Sequence, residues 1–192
     1  MQLFLVRHGE SEWNAQHLFQ GQHHSRLTVK GKQQAKRVAK WIAQRCQPDL
    51  LLSSDLRRAV ETAQLIGKMV HLKPRYTKLM RERALGNLEG KTTRGKQTEQ
   101  DHYLEAGKGY LPVNAERLAA IKQRARKVIA IILKSKKHCV VLVGHEAINS
   151  FLANALLRRR LQTISQNHTQ VHWFKLNAKG KVEKYKLTVS VK

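Results

Sequence analysis

Short hydrophobic runs alternate with longer amphipathic stretches along most of this chain. Leu3 to Val6, Leu50 to Leu52 and Cys139 to Val143 are almost wholly apolar. Such runs are typical of strands that a parallel sheet buries on both faces. The pattern therefore predicts three central β-strands at these positions.

Between these runs, apolar residues recur at helical spacing. Thr28 is a candidate N-cap for a helix that buries Ala35, Val38, Ala39 and Ile42 and ends near Gln47-Pro48. The same spacing predicts further helices from Leu56 to Ile66, from Leu118 to Leu133 and from Ala147 to about Arg158.

The remaining segments are less regular. His71 to Tyr76 predicts a third strand, and because Pro74 interrupts it, this strand lies at an edge of the sheet or ends at the proline. Two apolar runs, Val171 to Leu176 and Val182 to Val189, flank the turn sequence Asn177-Ala178-Lys179-Gly180 and predict a β-hairpin. Residues 77–115 are rich in loops, with a short helix expected near Thr98 to Ala106.

Taken together, these elements predict an α/β fold. We expect a mostly parallel sheet flanked by helices on both faces, with a C-terminal β-hairpin, in a single domain over residues 1–192. The longest apolar stretch, Val128 to Leu133, is too short to cross a membrane, and no signal peptide is evident. Cys46 and Cys139 lie in apolar surroundings and are expected to be unpaired, which favours a reducing, cytoplasmic setting.

The chain is strongly basic, with 37 Lys and Arg residues against 13 Asp and Glu residues and a net charge of +24. The excess is even, since residues 1–96 and 97–192 each carry a net charge of +12. An even spread predicts solvated helix faces, with local clusters at Lys122 to Lys127, Lys134 to Lys137 and Arg158 to Arg160. It also permits long-range attraction of anionic substrates.

Polar and basic residues follow three of the predicted strands directly. They are Arg7-His8-Gly9-Glu10, the segment from Ser53 to Arg58, and Gly144-His145-Glu146. Ligands of parallel sheets bind beyond the carboxyl ends of the strands. Arginine suits phosphoryl oxygens and a neutral imidazole is a nucleophile, so this set indicates phosphoryl transfer.

At this point the sequence resembles the histidine phosphatase superfamily, also called the phosphoglycerate mutase-like family, and its small phosphatase branch in particular. The residues that carry the resemblance occur in order along most of the chain: Arg7-His8-Gly9-Glu10, Ser11, Trp13-Asn14, Phe19-Gln20-Gly21, Leu27-Thr28, Gly31, Gln34-Ala35, Ser54, Leu56, Arg58-Ala59, Thr62-Ala63, Glu82, Gly86, Gly90 and His145.

The resemblance implies a role for each matched site residue. His8 is expected to accept the phosphoryl group, with Arg7, Arg58 and a protonated His145 around the phosphate and Glu82 as proton donor and acceptor. Arg58 is preferred over its neighbour because the family's basic residue directly precedes an alanine. Asn14, Gln20 and Gly21 are expected to complete the binding site, with no metal and no cofactor.

Several positions depart from the family pattern. Leu18 stands where arginine is usual, His23-His24-Ser25 replaces an acidic stretch, and Arg26 takes a position where proline is common. Asn114-Ala115-Glu116 stands for a Gly-Glu-Ser element, and Glu146 follows the second histidine where glycine is usual. Glu146 is expected either to orient and charge His145 or to repel the substrate.

The sequence therefore predicts a phosphomonoesterase that acts on a phosphorylated small molecule through a phosphohistidine. A mutase-type phosphotransferase is the alternative within the family, disfavoured because the segment from Gly90 to Glu116 is short. A non-catalytic, nucleic-acid-binding protein on the same fold is the alternative outside it. The even charge and the 6% aromatic content argue against nucleic acid as a partner, and His23 and His24 lack companion ligands for a metal site.

Overall fold

Six strands form one mixed sheet in the computed structural model, which describes residues 1–93 and 112–191. They are β1 (Gln2–Arg7), β2 (Leu50–Ser54), β3 (Arg75–Thr77), β4 (Cys139–Gly144), β5 (Gln170–Leu176) and β6 (Val182–Ser190). Their order across the sheet is β3-β2-β4-β1-β5-β6. The first four strands run parallel, and β5 and β6 are added antiparallel as a hairpin. The predicted α/β architecture is confirmed.

Helices cover both faces of this sheet. The described α-helices are α1 (Glu12–Ala15), α2 (Val29–Ala43), α3 (Arg57–Met69), α4 (Leu118–Lys134) and α5 (Glu146–Leu157). As predicted, Thr28 caps α2, because its side chain accepts a hydrogen bond from the Gly31 N–H at 2.9 Å. None of the helices formed by residues 1–93 and 112–191 has the length and apolar character that a membrane crossing requires.

The core explains why the central strands are apolar throughout. In β1, Leu3 and Leu5 pack with α4 and α5, whereas Phe4 and Val6 pack with α2 and α3. Side chains alternate between the faces of a strand, so a strand that is covered on both sides needs an apolar residue at every position.

Two predicted boundaries differ from the structure, and one predicted helix is not tested by it. The edge strand β3 has only three residues and begins at Arg75, directly after Pro74, whose ring removes a backbone donor. Helix α2 ends at Ala43, before the predicted stop near Gln47-Pro48. The helix predicted at Thr98 to Ala106 lies outside the described residues.

The prediction that the cysteines are unpaired is wrong. Cys46 and Cys139 form a disulfide, with Cα atoms 6.7 Å apart and a sequence separation of 93. The end of α2 packs over the first residue of β4, and only this packing brings the two cysteines together. A reducing setting was inferred from unpaired cysteines, so the disulfide removes the basis of that inference.

Candidate active site

The carboxyl ends of three neighbouring strands bring the predicted site residues together. Since β4 lies between β2 and β1, the residues that follow these strands share one edge of the sheet, and Arg7 pairs in register with Gly144. A cavity of about 450 Å³ opens there. It is lined by Arg7, His8, Asn14, Leu18, Phe19, Gln20, Gly21, Arg58, Glu82, Arg83, Leu85, Thr93, Glu146, Ala147, Ser150, Phe151, Leu161, Gln162, Thr163 and Ser165.

His8 is held with one ring nitrogen ready to react. Its Nδ1 lies 2.7 Å from the carbonyl oxygen of Gly9. A carbonyl only accepts hydrogen bonds, so Nδ1 carries the hydrogen and Nε2 keeps its lone pair. Burial and the neighbouring Arg58 lower the pKa of His8 well below its usual range. The imidazole is therefore neutral and nucleophilic at physiological pH.

Arg58 is almost fully buried at the start of α3 and touches His8 directly. Its Nε donates to Nε2 of His8 at 3.1 Å, while its two Nη atoms donate to the carbonyl oxygens of His23 and Gly21 at 2.7 and 2.9 Å. Burial lowers the pKa of Arg58 to about 10, so the guanidinium stays charged at neutral pH. Arg57, by contrast, is exposed and pairs with Glu61 at 3.1 Å. The preference for Arg58 agrees with this placement.

Arg7 forms an ion pair with an acidic side chain of the cavity. Its Nη1 donates to Oε2 of Glu146 at 2.8 Å and to the carbonyl oxygen of Gln166 at 2.6 Å. The carboxylate of Glu146 thus pairs with an arginine of the cavity, whereas the sequence suggested that it would either orient and charge His145 or repel the substrate. Within the described residues, the buried Nε of Arg7 has no hydrogen-bond partner.

His145 is fully buried beside His8, with ring centroids 5.0 Å apart. Its Nε2 lies 2.9 Å from the Ser54 hydroxyl. Burial, reinforced by Arg58 and Arg7, lowers the pKa of His145 well below its usual range. His145 is therefore neutral in the unliganded site, and its protonation around a bound phosphoryl group stays a prediction. His145 does not itself line the cavity.

Glu82 lies in the loop that follows β3, and its side chain lines the cavity. Burial raises the pKa of Glu82, against the opposing effects of a hydrogen bond from the Arg83 N–H and of the charges on Arg58 and Arg7. Its neighbour Arg81 binds Asp55 through two hydrogen bonds of 2.6 and 2.7 Å and does not line the cavity. A carboxyl group with a raised pKa suits proton donation.

The three predicted binding residues all line the cavity. Oδ1 of Asn14 accepts from the Ser11 N–H at 3.1 Å, which leaves the amide NH₂ of Asn14 to donate to a ligand. Oε1 of Gln20 lies 2.8 Å from the Ser25 hydroxyl, which orients that amide in the same way. Gly21 takes a positive φ of 46° and offers its carbonyl to Arg58, so part of its role is to hold the arginine.

Four further residues contribute to the site although the sequence did not single them out. Arg83 is buried and lines the cavity, and Gln166 is buried and donates to the Leu5 carbonyl in β1 at 2.8 Å. His168 donates from Nδ1 to the His8 carbonyl at 2.6 Å, and burial lowers the pKa of His168 to about 4. Arg124 binds the Glu82 loop from α4.

Only one of these four carried a signal in the sequence. Arg124 follows Ile121 by three residues and precedes Val128 by four, which places it near the apolar stripe of its helix. The other three depend on contacts between segments that are distant along the chain.

Metal-binding geometry is not evident at the histidine pair. His23 stacks on Trp13 with ring centroids 4.1 Å apart, and the His24 ring accepts from the Arg57 N–H at 3.3 Å. Among residues 1–93 and 112–191, no group of three or more His, Cys, Asp or Glu side chains is placed to hold a metal ion.

Comparisons with known sequences point to one family. A profile described as histidine phosphatase superfamily (branch 1) matches residues 3–187. Phosphoglycerate mutase-like protein 4 of Arabidopsis thaliana is 42% identical over 93 residues, which cover 46% of this chain and 39% of that protein. A probable phosphoglycerate mutase of Escherichia coli, GpmB, is 37% identical over 103 residues, or 54% of this chain and 47% of that protein. The matched stretch thus spans less than half of either relative.

Solved structures match over nearly the whole chain. A mycobacterial glucosyl-3-phosphoglycerate phosphatase superposes with a TM-score of 0.85 and 26% identity, covering 98% of this chain and 97% of that one. YhfR of Bacillus stearothermophilus gives a TM-score of 0.81 and 29% identity over 95% and 94% of the two chains. Alpha-ribazole phosphatase from Shigella flexneri gives 0.83 and 22% identity over 100% and 96%, a likeness in fold alone.

Proposed function

The chain belongs to the histidine phosphatase superfamily (branch 1), and from that premise we propose that it hydrolyses phosphomonoesters through a phosphohistidine formed on His8, without a metal ion. The observation that carries the proposal is the state of His8. Its Nδ1–H is bound to the Gly9 carbonyl, its Nε2 lone pair lies against Arg58, and both residues line one cavity with Glu82.

In the first step Nε2 of His8 attacks phosphorus. The nitrogen–phosphorus bond forms as the ester oxygen–phosphorus bond breaks, and the proton held by Glu82 passes to the leaving oxygen. The raised pKa of Glu82 supports this role, because it keeps the carboxyl protonated at a pH where an ordinary glutamate is ionised.

In the second step the Glu82 carboxylate takes a proton from water, and the water oxygen attacks phosphorus. The phosphorus–nitrogen bond breaks, His8 regains its lone pair and inorganic phosphate leaves. Glu82 ends the cycle protonated, so atoms and protons balance over the two steps.

The arginines stabilise the charge that develops on the equatorial oxygens. In the unliganded site the Nε–H of Arg58 donates to the lone pair that must attack phosphorus. Substrate binding therefore has to turn this donor from His8 to a phosphoryl oxygen. Within residues 1–93 and 112–191, the buried Arg7 Nε and His145 Nδ1 have no hydrogen-bond partner, so they are two further polar atoms that a phosphoryl group can satisfy.

Hydrolysis is favoured over phosphoryl transfer between substrate positions by the structural comparison. The glucosyl-3-phosphoglycerate phosphatase is 26% identical and superposes over 98% of this chain. The mutase alternative depends only on the names of the phosphoglycerate mutase relatives.

A phosphorylated small molecule is the proposed substrate, and a cytoplasmic location stays a prediction from the sequence.

The test is hydrolysis of p-nitrophenyl phosphate in the presence of a chelator. The intact protein is expected to turn over, His8→Ala to lose activity by at least about 10³-fold, and Arg57→Ala, which alters an exposed arginine beside the site, to retain it. Rapid acid-free quenching with labelled substrate should trap one phosphoryl group per chain. Activity that persists in His8→Ala, or that requires added metal, contradicts the proposal.

The mutase alternative is tested with 3-phosphoglycerate. Release of inorganic phosphate without 2-phosphoglycerate is expected from a phosphatase. Formation of 2-phosphoglycerate faster than phosphate would replace the hydrolase proposal with the mutase one.

A further inference from the structure

We propose that His168 is a positioning residue for the nucleophile, because it fixes the peptide group that joins His8 to Gly9. This inference rests on the proposed function, since it concerns how His8 attacks phosphorus. The attack needs Nε2 of His8 in line with the leaving oxygen, and a rotation of the backbone that carries the ring would move that nitrogen. His168 lies in the turn before β5, 160 positions after His8 in the sequence.

Within the described residues, the pairing of β1 with β5 stops before it reaches His8. The last pair in register is Val6 with Val171. On the other side of β1, the His8 N–H donates to the Gly144 carbonyl at the end of β4, at 3.1 Å. On the β5 side the His168 side chain replaces the missing strand, since its Nδ1 donates to the His8 carbonyl oxygen at 2.6 Å.

Side chains therefore bind both polar atoms of the peptide between His8 and Gly9. His168 binds the carbonyl oxygen, and the Gly9 N–H donates to Oγ1 of Thr62 at 3.1 Å. The next carbonyl along the chain, that of Gly9, accepts from Nδ1 of His8 at 2.7 Å and so holds the ring and its tautomer. The bond from His168 thus fixes the peptide directly before the carbonyl that orients the nucleophilic ring.

The turn that carries His168 is itself anchored to β1. Gln166, which is buried, donates from Nε2 to the Leu5 carbonyl at 2.8 Å. The backbone carbonyl of Gln166 accepts from Nη1 of Arg7 at 2.6 Å. A donor on a segment that is held in this way can keep His8 in one orientation, because the donor does not move with the backbone that it binds.

His168 supplies its hydrogen bond without adding charge beside the nucleophile. Burial, reinforced by the charge on Arg7, lowers the pKa of His168 to about 4. The imidazole is therefore neutral at physiological pH, with its hydrogen on Nδ1, because a carbonyl only accepts. Its ring centroid lies 5.3 Å from that of His8. A cation at this distance would oppose the positive charge of the phosphorylated His8 ring, so a neutral donor suits the position.

The experiment compares His168→Leu with His168→Asn, two side chains of similar shape. Asparagine can place an N–H donor where Nδ1 lies, whereas leucine places a methyl group there. In single turnovers of p-nitrophenyl phosphate, His168→Leu should lower the maximal rate of His8 phosphorylation by about 10- to 100-fold. His168 does not line the cavity, so the half-saturating substrate concentration should change by less than about threefold. His168→Asn should keep the rate within about threefold of the intact protein.

Asn167→Ala is the matched control. Asn167 is the exposed neighbour of His168, and its backbone N–H donates to Oε1 of Gln170 at 2.9 Å. Its substitution should leave the phosphorylation rate unchanged. Circular dichroism checks that each variant is folded, and His168→Phe, which keeps a planar ring but has no donor, replaces His168→Leu if the latter does not fold.

A change of leaving group separates an effect on His8 from an effect on Glu82. The leaving group of 2,4-dinitrophenyl phosphate needs no proton, so Glu82→Gln should lose far less rate with it than with phenyl phosphate. His168→Leu should lose the same factor with both compounds, because the nucleophile is common to both. A loss that follows the pattern of Glu82→Gln would overturn the inference.

Three other results would also overturn it. They are a His168→Leu rate within about twofold of the intact protein, an equal loss in His168→Asn, and a change confined to the half-saturating concentration. If the intact protein turns over no substrate, the proposed function fails, and calorimetric binding of vanadate, which resembles the transition state, tests His168 separately. His168→Leu should then bind vanadate about tenfold more weakly than His168→Asn, with equal affinity for phosphate, and equal vanadate affinities would overturn the inference.

Discussion

Arg124 is expected to hold the Glu82 loop against α4, and its removal should cost both stability and activity. Its guanidinium binds the carboxylate of Glu116 through two hydrogen bonds of 2.6 and 2.7 Å. Nη1 also donates to the carbonyl oxygens of Leu79 and Arg81 at 2.8 Å each. One side chain thus connects α4 with the backbone just before Glu82, the proposed acid, and with Glu116.

The magnitude follows from these contacts and their burial. Arg124→Met keeps most of the apolar stem but removes the charge and every donor. The two lost hydrogen bonds to carbonyl oxygens account for about 2–3 kcal/mol, since hydrogen bonds from charged groups contribute more than neutral ones. Glu116, whose side chain is only 13% exposed, loses its partner at a further cost of about 1–2 kcal/mol.

The expected loss is therefore about 4 kcal/mol in the free energy of unfolding, measured by denaturant titration. For a chain of 192 residues this corresponds to a fall in Tm of roughly 10 °C. We also expect kcat to fall by about 10- to 100-fold, because a shift of the loop misplaces Glu82.

Arg126→Ala is the control for this prediction. Arg126 is an exposed cation on the same helix, and its removal should change stability by no more than about 0.5 kcal/mol. The reasoning is refuted if Arg124→Met and Arg126→Ala melt within about 2 °C of each other, or if Arg124→Met keeps full kcat.

The remaining predictions concern pH, a glycine and the disulfide. Since burial lowers the pKa of His8 and raises the pKa of Glu82, kcat/KM should fall as pH rises through the Glu82 pKa and as pH drops through the His8 pKa. After correction for substrate ionisation, a rate that climbs steadily up to about pH 8 would contradict these assignments. Gly31→Ala should lower stability by about 2–4 kcal/mol in denaturant titration, because a Cβ there would overlap the backbone carbonyl oxygen of Glu10; an unchanged midpoint would show that the contact relaxes freely. A thiol reagent added to the unfolded, unreduced protein should detect no free thiol, and two thiols per chain would reinstate the unpaired cysteines expected from the sequence.

Much of the fold could be predicted because local patterns and global packing agree. The apolar runs at β1, β2 and β4 are readable as buried strands because each is covered on both faces. Once the parallel order is assumed, the residues after these strands must meet at one edge, so Arg7, His8 and His145 could be grouped without coordinates.

Other features could not be predicted from the sequence, because they depend on contacts between segments that are distant along the chain. Arg124 lies in a basic cluster that was predicted to be solvated, and although its spacing places it near the apolar stripe of α4, only the packing shows that it binds the loop after β3. The neutral state of His145 in the unliganded site could not be predicted, because its pKa is set by burial and by arginines from two other strand ends.

The sequence by itself determined the strand and helix pattern, the shared edge of the sheet and the residue types that suit phosphoryl transfer. Those features follow from periodicity and from residue chemistry, which are local properties. Only the tertiary structure decided which charges meet. It paired Glu146 with Arg7, joined Cys46 to Cys139 and turned the Arg58 donor onto His8, because distances between side chains are set by packing and not by position along the chain.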